Sequence, residues 1–163
     1  MYGHYYHRQG WQRTAFQPVW ATSYAQALEL MKQSVQGEKA DEWFYDQLIR
    51  LAPNKEQADI IVSIRNDERS HNRMFRQILQ ELTGQQVGPG NPEEAESPPA
   101  TFRQGLQTAL FGELSAVERY RKIWFGLPPG VYKDTVFGIM IDELKHADKY
   151  NYLLGTLHEH KAT

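Results

Sequence analysis

Two ten-residue stretches, NDERSHNRMF at 66–75 and IDELKHADKY at 141–150, each carry Glu-x-x-His inside an otherwise apolar, helix-like run, 75 residues apart. Charged side chains in the middle of a core-facing stripe are costly to desolvate unless something compensates them. The chain must therefore adopt a fold that buries these groups together with their compensation. The flanking residues give the element type. Ile61, Ile64, Glu68, His71, Phe75, Ile78 and Leu82 advance in steps of three and four, and so do Val136, Ile139, Glu143, His146, Tyr150, Leu153 and Leu157. That spacing puts each set on one face of a helix, with Glu and His at its centre.

The offset of 75 recurs outside the two motifs. Gly37-Glu38 corresponds to Gly112-Glu113, Tyr45 to Tyr120, Asp67 to Asp142 and Leu79 to Leu154. In each half a Glu precedes the Glu of Glu-x-x-His by 30 residues. Phe102, Leu106, Ala109, Glu113, Ala116, Tyr120 and Ile123 form a third stripe; Met31, Glu38, Tyr45 and Leu48 form a less regular first one. Start and stop signals divide the chain accordingly. Ser23 is a cap for a helix reaching about Ala52, and Pro53 separates it from a second helix over about 54–82, closed by Gly84. A Gly-, Pro- and Glu-rich linker covers 84–99, a third helix about 100–125, the break GLPPG 126–130, and a fourth helix about 131–158. The expectation is an all-α, left-handed four-helix bundle over 23–160, made of two helical hairpins joined by a long crossover and related by an approximate two-fold. Residues 1–22 form an extended, aromatic-rich arm without a steady period, read either as a flexible tail or as a segment that packs on a neighbouring subunit.

Composition removes several classes of function. A chain of 163 residues with 40% hydrophobic and 23% charged residues reads as one soluble globular domain. A net charge of −2 with scattered Lys and Arg offers no footprint for nucleic acid. No apolar run approaches the ~20 residues that span a bilayer, and the N-terminus lacks a secretory core, so a cytoplasmic location is expected. The absence of cysteine excludes disulfides, thiol catalysis and cysteine-ligated iron.

On a helix, i and i+3 share a face, so Glu68 with His71 and Glu143 with His146 can each reach one point in the core. With Glu38 and Glu113 the set becomes four carboxylates and two imidazoles, which two divalent cations would neutralise. Mixed oxygen and nitrogen donors suit iron or manganese, with zinc as a possible substitute. The bland alternative is a set of buried ion pairs that fix helix register. Asp67 and Asp142 are either surface residues or acceptors for the free ring nitrogen of the His on the opposite helix. Tyr45 and Tyr120 read as core aromatics whose hydroxyls need partners, with a radical or proton-relay role as the alternative. Asp41 and Glu42 read as solvated or gating carboxylates, and His4, His7, His158 and His160 as surface residues.

The segments GEKADEWFY and GELSAVERY, with DERSH and DELKH, resemble the four helices of the ferritin-like superfamily, closest to the rubrerythrin-type di-iron domain. The resemblance covers about 23–158. It implies Glu38 and Glu113 as terminal ligands, Glu68 and Glu143 as bridges, and His71 and His146 as ligands of one metal each. It further implies two iron ions, peroxide or dioxygen as substrate, a separate electron donor and a homodimer or higher homo-oligomer. Two departures stand out. Where rubrerythrins carry a further carboxylate three residues after the third-helix Glu, this chain has Ala116, so Asp41 or Glu42 would supply a fifth. No rubredoxin-like cysteine site is present either. The expected function is peroxide or dioxygen reduction, with iron storage and ferroxidase activity, manganese-catalase chemistry or a non-catalytic structural bundle as alternatives.

Overall fold

A computed structural model of the chain describes residues 22–90 and 98–159, with side chains described to 157. The arm over 1–21, the middle of the linker at 91–97, and the side chains of His4, His7, His158 and His160 lie outside the described residues. Four helices follow in order: α1 (Tyr24–Leu51), α2 (Lys55–Thr83), α3 (Phe102–Gly126) and α4 (Val131–Glu159). Among the described residues there is no strand, and no helix is long and apolar enough to cross a membrane.

The helix ends follow from local chemistry. Ser23 and Gln26 form a capping box at α1, while the side chains of Asn54 and Thr101 accept from the backbone N–H of Gln57 and Gln104. Helix α1 stops at Ala52 and α3 at Leu127, both extended and both followed by proline, which disfavours helical geometry in the residue before it. These two stops are again 75 residues apart. Gly84 closes α2 in the left-handed region at φ 71°, where a side chain would be strained.

The helices pack in a ring: α1 touches α2 and α3, and α4 touches α2 and α3. Gly126, at the end of α3, lies so close to the start of α1 that an added Cβ would sit 2.7 Å from Ala27 Cβ. At the other end Phe102 and Leu106 of α3 share a cluster with Leu48 of α1. Helix α3 is therefore antiparallel to α1, and the crossover must return along the bundle to begin it. Its first part does so along α1, where the Gly90 N–H donates to the Gln36 carbonyl at 2.9 Å.

The core consists of two apolar clusters. One gathers Ala27, Met31, Phe75, Ile78, Tyr120, Ile123, Val136 and Ile139. The other gathers Phe102, Leu106, Tyr150, Leu153, Tyr45, Leu48, Ile61 and Ile64. Each residue of the first set has its counterpart, 75 positions away, in the second. The internal repeat thus exchanges the two ends of the bundle about an approximate two-fold, and the Glu and His residues form the layer between them.

Candidate metal centre

His71 and His146 are buried in that middle layer, with ring centroids 5.8 Å apart. Each ring is held from behind by an aspartate of the other Glu-x-x-His helix. His71 Nε2 lies 3.2 Å from Asp142 Oδ2, and His146 Nε2 lies 3.1 Å from Asp67 Oδ2. An aspartate accepting the Nε2 proton turns Nδ1 towards the centre and fixes its orientation. Lys145 ties the two aspartates together, at 2.6 Å from Asp142 and 3.3 Å from Asp67. Partial burial opposes ionisation of both aspartates. Hydrogen bonds from the rings and from Lys145 outweigh it and hold both below the usual carboxylate range.

The inward atoms face one another. His146 Nδ1 is 3.0 Å from Glu68 Oε1 and 3.7 Å from both Glu113 Oε2 and Glu143 Oε2. His71 Nδ1 is 3.1 Å from Glu143 Oε1 and 3.5 Å from Glu68 Oε1. Yet Glu68 Oε1, Glu143 Oε1 and both Nδ1 atoms are buried without an aligned hydrogen bond. Four polar atoms gathered in this way, none in an aligned hydrogen bond, are a donor set that a cation could share once the rings give up their protons. Glu68, Glu113, Glu143 and His146 each offer one atom within 4.8 Å of all the others. The residues present therefore fit a metal.

Charge is compensated by protons where no cation is present. Burial disfavours the imidazolium of His71, but Glu143 and Glu68 beside it win and its pKa is pushed up to about 10. His146 is pushed up to about 12 against the same burial by Glu113, Glu143 and Glu68. Burial and the neighbouring Glu143 raise the Glu113 carboxyl. Glu143 is lowered despite its burial, because both rings, raised to imidazolium, lie beside it.

The two halves differ at their remaining carboxylates. Glu113 is buried, and Tyr45 donates to its Oε1 at 3.0 Å. Glu38 lines the same crevice as Glu68 and His71, but its carboxylate is held by Arg76. Glu42 is likewise held by Arg69 and Asp46 by Arg65, so one face of the α1–α2 hairpin is a ladder of ion pairs. At the corresponding positions of α4 stand Met140, Leu144 and Asn151, so Glu113 meets no arginine from its own hairpin partner. Sequence reasoning overlooked this ladder and Lys145. The signal was available: in an antiparallel hairpin the numbers of facing residues add to a nearly constant value, as these three pairs do. Asp41 borders the crevice and a second cleft between α1 and α3. Desolvation, with repulsion from Glu68, pushes its pKa up to about 6. Tyr45, Tyr120 and Tyr150 are buried around the layer, and burial raises each well above the ordinary phenol value. Tyr150, on the α4 stripe, is a third phenol at the site that the repeat alone did not single out.

No protein-family model, curated protein or solved structure matches this chain.

Proposed function

We propose that this chain is a dinuclear-metal oxidoreductase of ferritin-like, rubrerythrin type, reducing hydrogen peroxide or dioxygen. One observation carries the reading: Glu68 Oε1, Glu143 Oε1, His71 Nδ1 and His146 Nδ1 are buried and turned towards one another, with no aligned hydrogen bond among them. Glu68, Glu113, Glu143 and His146 would hold one cation. Glu68, Glu143 and His71 would hold the second, with Glu38 joining once released from Arg76. A pair of redox-active divalent ions, iron first and manganese second, supplies the two electrons that reduction of an O–O bond consumes.

The chain's own residues prepare the site for this chemistry. Asp67 and Asp142 keep both rings in the orientation that presents Nδ1. The Tyr45 hydroxyl steadies Glu113, and apolar clusters flank the layer on either side. Asp41, at the border of the cleft with a pKa of about 6, can exchange a proton near neutral pH, which oxygen reduction needs.

Elemental analysis of chelator-free protein, with peroxide turnover on the same sample, tests the reading. Two iron or manganese ions per chain, and reoxidation of the reduced protein by peroxide, are the expected results. Protein that neither retains nor takes up Fe²⁺, Mn²⁺ or Zn²⁺ would be a structural bundle. Metal uptake without turnover in a many-subunit shell would favour storage.

A further inference from the structure

Between α1 and α3 a cleft of about 310 Å³ reaches Glu68, Glu113 and Glu143. That is many times the ~10–15 Å³ of such space that one water molecule needs. Peroxide or dioxygen, with two heavy atoms, would leave most of it unused. Its walls suit an organic body: Trp43 and Phe44 on α1 face the small side chains Ala109 and Ala116 on α3. Polar side chains line the rest, with Asp41, Thr108 and Arg119 joining the inner carboxylates.

The cleft holds one arginine, and among the described residues it is not in an ion pair. Arg65, Arg69 and Arg76 each meet a carboxylate. Arg119 lines the cleft half-buried, with no ion pair or hydrogen bond among the described residues. Its field reaches Asp41 across the cleft. The inner carboxylates face His71 and His146, which leaves Asp41 as the carboxylate whose charge opposes that of Arg119 across the cleft. A planar guanidinium with free donors is matched to a carboxylate, which it binds through two parallel hydrogen bonds. We propose that this cleft binds a small organic carboxylate, its headgroup on Arg119 and its apolar body along Trp43, Phe44 and Ala109. Binding stands on the cleft itself; its meaning as substrate recognition rests on the metal-centre reading.

Calorimetric titration of the full chain with benzoate and hexanoate, and with the neutral benzamide and hexanamide, tests this. The titrations are run on metal-free and on Zn²⁺-loaded protein. Both acids are expected to bind in both forms, with the amides ~10-fold weaker or undetectable. Arg119→Gln should weaken the acids by ~10-fold while leaving the amides unchanged. Ala116→Leu should abolish binding by filling the cleft, with metal content retained. Acids and amides of equal affinity, acid binding indifferent to Arg119→Gln, binding confined to the zinc form, or no binding at all would each overturn the proposal. Failure of the metal-centre reading is read separately, from metal content in the absence of any organic probe.

Discussion

Glu68 and Glu143 each face both imidazoles, whereas Glu113 faces only one. The number of metals a residue touches sets the cost of losing it. Glu68→Ala or Glu143→Ala is expected to empty both positions, and His71→Ala or His146→Ala mainly one. Asp67→Asn and Asp142→Asn, which act through the rings, should lower affinity or activity by ~10- to 100-fold. Metal content and peroxide turnover across the series check the order; Glu68 and Glu143 variants that keep two metals contradict it. Arg76 adds an asymmetry. Because it holds Glu38, the half-site around His71 has one carboxylate fewer at hand than that around His146. Zinc titration should resolve one tight and one weaker site, and Arg76→Gln should tighten the weaker. Two equal sites in the unaltered protein would count against the ion pair as the cause.

Each element carries its own termination chemistry, which makes helix-level predictions possible. Asn54→Ala removes the acceptor for the Gln57 N–H and should cost ~1 kcal/mol. Gly84→Ala puts a Cβ on a residue at φ 71°; nothing lies near that Cβ, so the penalty is conformational, ~1–2 kcal/mol. Both changes lie away from the polar layer. Urea midpoints should therefore fall with metal content unaltered. Loss of metal in either variant would mean that these helix ends are coupled to the centre. The ion-pair ladder between α1 and α2 belongs to this scale too. Its members are half-exposed, so it steers Glu38 more than it stabilises the hairpin.

Stability of the whole molecule is coupled to protons and cations at its middle. A group whose pKa is raised by folding contributes in full below its unfolded value and loses that contribution as pH climbs through the folded one. For His71 the window runs from 6.5 to about 10, and for His146 from 6.5 to about 12. The raised Glu113 carboxyl acts in the same direction, from 4.5 upward. Metal-free protein is therefore expected to lose stability as pH rises above ~6.5, while cation binding, which displaces the same protons, grows stronger. The Tm difference between zinc-loaded and chelator-treated protein should widen from about pH 6 to about pH 9. A constant difference over that range would mean that the imidazoles do not change protonation when metal binds.

Periodicity and repetition are properties of the chain alone. The four helices, their breaks at Pro53 and at 126–130, and the correspondence of Glu68-x-x-His71 with Glu143-x-x-His146 are written in the residue order, because helical spacing and proline geometry act over a few residues. The observed starts differ from the expected ones by one or two residues at α2 and α3, where Asn54 and Thr101 act as caps rather than as first helical residues. Partnership across helices was the work of the tertiary structure. Asp67 and Asp142 suited a surface role as well as a bond to a ring, until α2 and α4 packed side by side and crossed them onto the opposite His. Glu38 and Glu113 are equivalent in the repeat. The neighbouring helix separates them, placing an arginine against one and a tyrosine against the other. A carboxylate takes its charge state and its partner from whatever the fold brings within about 4 Å, and no spacing along a single helix contains that information.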